Sequence, residues 1–95
     1  MNDAFFQAMA NETRREIVRL LKWQDLTAGE IASHFAISKP SISRHLDTLK
    51  NAGLITAERK GNQIIYSINM TVLQEMTMEF LSLVGKKEET CHENG

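Results

Sequence analysis

A chain of 95 residues has room for one domain with a single core, and 42% hydrophobic with 24% charged residues is the mixture of an ordinary folded chain. A formal charge of −1 argues against a uniformly basic protein, no run of 18 apolar residues spans a bilayer, and Asn2 and Asp3 ahead of a short apolar piece do not make a secretion signal. The single cysteine, Cys91, excludes an internal disulfide and points to the cytoplasm.

Phe5, Phe6 and Met9 sit on a short first helix that stops before Asn11. Asn11 is suited to cap the next helix, which is expected to turn Ile17, Val18, Leu20, Leu21 and Trp23 inward. Arg14 and Arg15 invite an anion-binding role, but their place in the first turns of a surface helix favours salt bridges with Glu12, Glu16 or the neighbours of Arg19.

Thr27 followed by Glu30 has the spacing of a capping box, so a third helix should start at Ala28 with Ile31, Ala32 and Phe35 on its apolar side. Ala36 and Ile37 then form a turn, with Ile37 expected to plug the angle between two helices. Ser38 caps a fourth helix whose first turn tolerates Pro40. Ile42, Leu46 and Leu49 make its buried stripe, which leaves Arg44 on the opposite side with Ser41 and Ser43 on the flanks. Two short helices joined by a tight turn can place the second in the major groove of DNA, where hydroxyls and a guanidinium suit phosphate and base edges. Taken alone, such a pair also fits any small helical domain.

Gly53 ends the fourth helix. Leu54–Arg59 and Gln63–Ile68 are rich in β-branched residues and flank Lys60-Gly61-Asn62, the turn chemistry of a hairpin. A hairpin after a helix-turn-helix is a wing, and Arg59, Lys60, Asn62 and Gln63 cluster at its tip, although hairpin tips are often charged merely because water surrounds them. From Ser38 to Gln63, five cations (Lys39, Arg44, Lys50, Arg59, Lys60) face two anions (Asp47, Glu58), a net of +3 that leaves −4 on the rest. Attraction for phosphate is thus concentrated on one stretch.

A last helix begins at Asn69 or Thr71 and reaches about Gly85. Leu73, Met76, Phe80 and Leu83 follow helical spacing, and Val72, Leu81 and Val84 widen the apolar face beyond one stripe. Such a helix packs against two things, and a second copy of the chain is the expected partner, with Phe5, Phe6 and Met9 joining the interface. A single broad core face is the alternative. A twofold dimer sets its two recognition helices about 34 Å apart, the spacing of successive major grooves on a near-palindromic site. Residues 1–85 are read as the DNA-binding and dimerisation domain, and 86–95, polar and aperiodic, as a disordered tail.

Asn11–Ile17, Leu26–Ala32, Ser38–Leu46 and Ala52–Ile55 together resemble the ArsR family of bacterial winged-helix repressors, and within it the small autorepressors of the SdpR-like branch. The resemblance runs from about Ala4 to Val84. It implies a mainly α fold with a small β-hairpin: four helices, two strands and a final helix, forming a winged helix-turn-helix. It also implies a homodimer that represses transcription by covering operator DNA. Operator-reading positions carried over from the family fall on Lys39, Ser41, Ser43, Arg44 and His45 beside the capping Ser38, and wing contacts on Arg59, Lys60 and Gln63. Asn11 stands where many relatives have Asp, a change that keeps a capping side chain.

Many members of that family bind metal through cysteines near the start of the third helix, but this chain reads Leu26-Thr27-Ala28 there. The last helix offers Glu75 and Glu79 without a histidine, and His34, His45 and His92 are scattered. No metal site or other cofactor is therefore expected, and release from DNA through a protein effector or simple autoregulation is preferred. Cys91 and His92 are read as inert. His34 is read as a solvated or half-buried helix residue, and His45 as a boundary residue that could also reach a phosphate or base. No phosphate loop, nucleophile with base, or paired carboxylates suggest an enzyme. The alternatives are a metal-responsive sensor with a non-standard site, or a winged-helix module that binds protein. The latter would replace Arg44 and the wing cations with apolar residues.

Overall fold

Every helix with an identified cap begins at a side chain that could be read from the sequence. In the computed structural model, which describes residues 3–94 and the side chains of 3–84, the order is α1 (Asp3–Met9), α2 (Glu12–Trp23), β1 (Leu26–Thr27), α3 (Ala28–Ala32), α4 (Lys39–Asn51), β2 (Ile55–Lys60), β3 (Gln63–Ile68) and α5 (Met70–Asn94). Asn11 Oδ1 accepts the Arg14 N–H at 3.0 Å to start α2, and Asn69 Oδ1 accepts the Val72 N–H at 3.3 Å to start α5. Thr27 and Glu30 form the full reciprocal box at α3: the Glu30 N–H donates to Thr27 Oγ1 (3.1 Å) and the Thr27 N–H to Glu30 Oε1 (2.8 Å).

The core gathers one face of each helix in the first half of the chain. Ile17, Val18 and Leu21 of α2, Ile31 of α3, and Ile42, Leu46 and Leu49 of α4 are buried, with Leu26, Leu54 and Ile55 closing the layer. Phe5 and Ala8 of α1 are buried with them. At the end of α4 the Gly53 N–H donates to the Lys50 carbonyl (2.9 Å) and the Leu54 N–H to the Leu49 carbonyl (3.0 Å), a Schellman closure. Gly53 has φ +79°, the left-handed backbone that glycine adopts without a steric penalty.

Five features depart from expectation. The sheet has three antiparallel strands in the order β1-β3-β2, because Leu26 and Thr27 pair with Tyr66 and Ile65. Helix α3 ends at Ala32, so Phe35 and His34 lie in the turn, and Ile37 is 40% exposed instead of plugging the interhelical angle. Trp23, at the last residue of α2, points outward at 85% exposure. Strand β2 begins and ends one residue later than expected, leaving a two-residue turn in which Gly61 alone has positive φ (+63°), the type II′ pattern. The backbone of α5 stays helical past Gly85 to Asn94, in keeping with the helix-forming lysines and glutamates that follow the glycine. The expected tail, 86–95, and the inert reading of Cys91 and His92 lie outside the residues whose side chains are described. Among the described residues no helix is long and apolar enough to cross a membrane.

Candidate nucleic-acid interface

Helix α4 presents one greasy and one polar side. Ile42, Leu46 and Leu49 are at most 1% exposed, while Lys39, Ser43 and Arg44 are exposed and Ser41 and His45 half-buried. Ser38 fixes the start of this polar side: its Oγ accepts the Ser41 N–H (3.3 Å) and donates to Ser41 Oγ (3.0 Å). One backbone N–H and two hydroxyls thus converge at the positive end of the helix dipole. Among the described residues, neither Lys39 nor Arg44 is engaged in an ion pair.

The wing supplies the second cationic group. Every residue from Thr56 to Ile64 is exposed, so the outer half of the hairpin stands clear of the body. Arg59 lies opposite Ile64 and Lys60 opposite Gln63 in the antiparallel register. Lys60 Nζ is 3.9 Å from Glu58 Oε1, with both side chains mostly in water, a pair that holds the ammonium only weakly.

Behind α4 the structure corrects the reading of two arginines. Arg14 donates through Nε to the Ala8 carbonyl (2.7 Å) and through a terminal nitrogen to the Gln7 carbonyl (3.0 Å). Arg15 donates to the Met9 carbonyl (2.8 Å). Both therefore cap the C-terminal end of α1, where carbonyls lack helical partners and the dipole favours a cation. The expected salt bridges are not theirs; Glu16 pairs with Arg19. The remaining terminal nitrogen of Arg14 lies 3.2 Å from His45 Nδ1. Burial first, and then the Arg14 charge, lower the His45 pKa from its ordinary value. Burial and the Asp47 carboxylate raise that of Tyr66. The signal available in the sequence was a short helix ending just before two arginines; what it could not show was the imidazole they reach.

The residues assigned to a dimer face divide. Phe5 is 6% exposed and belongs to the protomer's own core, and Leu73 and Met76 rest against that core together with Phe6 and Met9. Phe80 (51% exposed) and Leu83 (62%) are open, as are Met78, Leu81 and Val84. Phe6 meets Phe5 edge-on at 5.0 Å and Phe80 at 5.9 Å, beside a hollow of about 240 Å³ lined by Phe5, Phe6, Met9, Thr77 and Phe80. No cluster of three metal-ligating side chains occurs among the described residues, and Thr27 is committed to its helix cap.

A family model described as "Bacterial regulatory protein, arsR family" matches residues 11–57, which span α2 to the start of β2. The transcriptional repressor SdpR of Bacillus subtilis (strain 168) is 52% identical over 86 residues, covering 90% of this chain and 94% of the relative. Among solved structures, an ArsR-like transcriptional regulator from Rhodococcus sp. RHA1 superposes with a TM-score of 0.78 at 29% identity, over 92% of this chain and 81% of that one. A possible transcriptional regulator for arsenical resistance gives 0.75 at 34% identity, over 81% and 80% of the two chains. These relatives are regulators of transcription, not enzymes, and the two solved structures share the fold described above. The chain belongs to the ArsR family of bacterial regulatory proteins.

Proposed function

We propose that this chain is a cytoplasmic, homodimeric transcriptional repressor that lays α4 in the major groove of a near-palindromic operator and sets its wing against the adjoining backbone. The observation that carries the reading is the exposed Arg44 on the side of α4 opposite its buried stripe, with exposed Lys39 at the start of the helix, neither of them in an ion pair among the described residues. Repression, as the direction of control, is supported by the similarity to a repressor along nearly the whole chain. In this reading Ser38, Lys39, Ser41, Ser43, Arg44 and His45 face the duplex, and Arg59, Lys60 and Gln63 touch it from the wing.

Selection of bound fragments from random duplex DNA tests this, with the segment upstream of its own gene included to test autorepression. A recovered inverted repeat supports the reading; no enrichment at low salt overturns it. Arg44→Ala is expected to weaken binding to the selected site by about 1–3 kcal/mol and relax base choice at one position. Lys60→Ala should instead weaken all sequences alike and flatten the salt dependence by about one unit of slope. An unaltered slope would remove the wing from the contact list.

A further inference from the structure

We infer that Arg14 is a positioning residue for DNA recognition, one that fixes His45 on α4 as a neutral imidazole with its proton on Nε2; this rests on the DNA-reading role proposed for α4. The guanidinium is held on two sides by the Ala8 and Gln7 carbonyls at the end of α1, at 2.7 and 3.0 Å. Its plane is therefore set before it meets the imidazole. The third nitrogen points at His45 Nδ1 from 3.2 Å. A guanidinium only donates, and it keeps its proton at any pH a protein survives. Nδ1 must then be the acceptor, which leaves the single ring proton on Nε2. A doubly protonated ring would set N–H against N–H and place two cations in contact.

The surroundings agree with this assignment. Helices α1, α2 and α3 and strand β2 pack against α4. Among the described residues, Arg14 of α2 is the charged group that acts on His45, and α1 contributes carbonyls that steady Arg14. On α4 itself the neighbouring charges, Arg44 and Asp47, are exposed, and Asp47 acts on Tyr66 of β3. His45 is half-buried between these partners and the polar side of the helix. Its contribution to recognition is thus one uncharged N–H donor, matched to a hydrogen-bond acceptor on the duplex: a phosphate oxygen, or a purine N7 or carbonyl edge.

Two-bond proton–nitrogen correlation spectra of the full-length protein read the tautomer directly, without DNA. The expected pattern at neutral pH is a bare Nδ1 and a protonated Nε2, with the ring taking its second proton at a lower pH than an ordinary histidine. In Arg14→Met the His45 titration should move up toward its ordinary value. The acid-side gain in binding to the selected duplex should then set in at a higher pH than in the wild type, a difference abolished by adding His45→Gln. If Arg14→Met proves unfolded, Arg14→Lys, which keeps the charge but loses the fork, should show a smaller upward move. In His45→Gln alone, a loss of affinity spread evenly over all sequences identifies phosphate as the acceptor, and a loss confined to one base position identifies a base edge. A proton on Nδ1 in the wild type, or an unmoved His45 titration in the folded variant, overturns the inference while leaving the DNA reading intact. Failure of the wild type to bind any duplex overturns both.

Discussion

Replacing Leu46 by alanine is expected to lower the free energy of unfolding by about 2–5 kcal/mol, the cost of removing a fully buried leucine from a packed core. Leu46 is 1% exposed and lies on the inner face of α4 between Ile42 and Leu49. A domain of this size has only about 5–15 kcal/mol in total. With each kilocalorie worth about 4–8 °C in a chain of this length, the melting temperature should fall by tens of degrees. Thermal denaturation followed by circular dichroism at fixed protein concentration measures it. The result bears on function, because Leu46 and Arg44 occupy opposite sides of one helix. DNA binding by the alanine variant should fail with the folded fraction, whereas Arg44→Ala should fail at full folding. A Leu46→Ala protein that melts like the wild type would mean that α4 is not seated as described.

Phe80→Asp is expected to convert the proposed dimer to single protomers. Helix α5 settles on the protomer through Val72, Leu73 and Met76, and beyond them Met78, Phe80, Leu81, Leu83 and Val84 stand 47–67% exposed. So much open apolar surface on one helix supports the proposed interface. A carboxylate in the middle of it gives up the ring contact with Phe6, leaves the buried core residues in place, and must be desolvated for two copies to meet. Sedimentation equilibrium should show the loss of the larger species, with helical content unchanged. Operator affinity should drop about 10²–10⁴-fold, since each half-site is then bound without the benefit of its tethered neighbour. A variant that stays dimeric and binds normally would move the interface off α5.

The parts of this fold that were legible in the sequence are those governed by contacts three or four residues apart. Asn11, Thr27 with Glu30, Ser38 and Gly53 are all local stop and start signals that the structure uses as read, and of Asn69 and Thr71 it uses Asn69. The stripe of Ile42, Leu46 and Leu49 followed from helical period alone. Strand β1 was not legible, because Leu26 and Thr27 become a strand only by pairing with Tyr66 and Ile65 far along the chain. Trp23 and Ile37 misled for a related reason: each is apolar at the end of a regular segment, where nothing local decides whether the core reaches it. At the candidate site, the exposure of Ser43 and Arg44 was foreseeable from their angle on α4, whereas Lys39 is exposed because it is the first residue of the helix. The half-buried state of His45 was not, since it depends on a guanidinium that first had to find the carbonyls of another helix.

Leu54 joins three parts of the molecule. Its N–H closes the end of α4 at the Leu49 carbonyl, its own carbonyl accepts the Asn69 N–H at 2.8 Å where α5 begins, and its side chain is fully buried at the root of the hairpin. Reading helix, wing and long C-terminal helix are therefore pinned at one hub. A tilt of α5 would act first on this shared residue, so its effect is expected to reach the end of α4 and the root of the hairpin together.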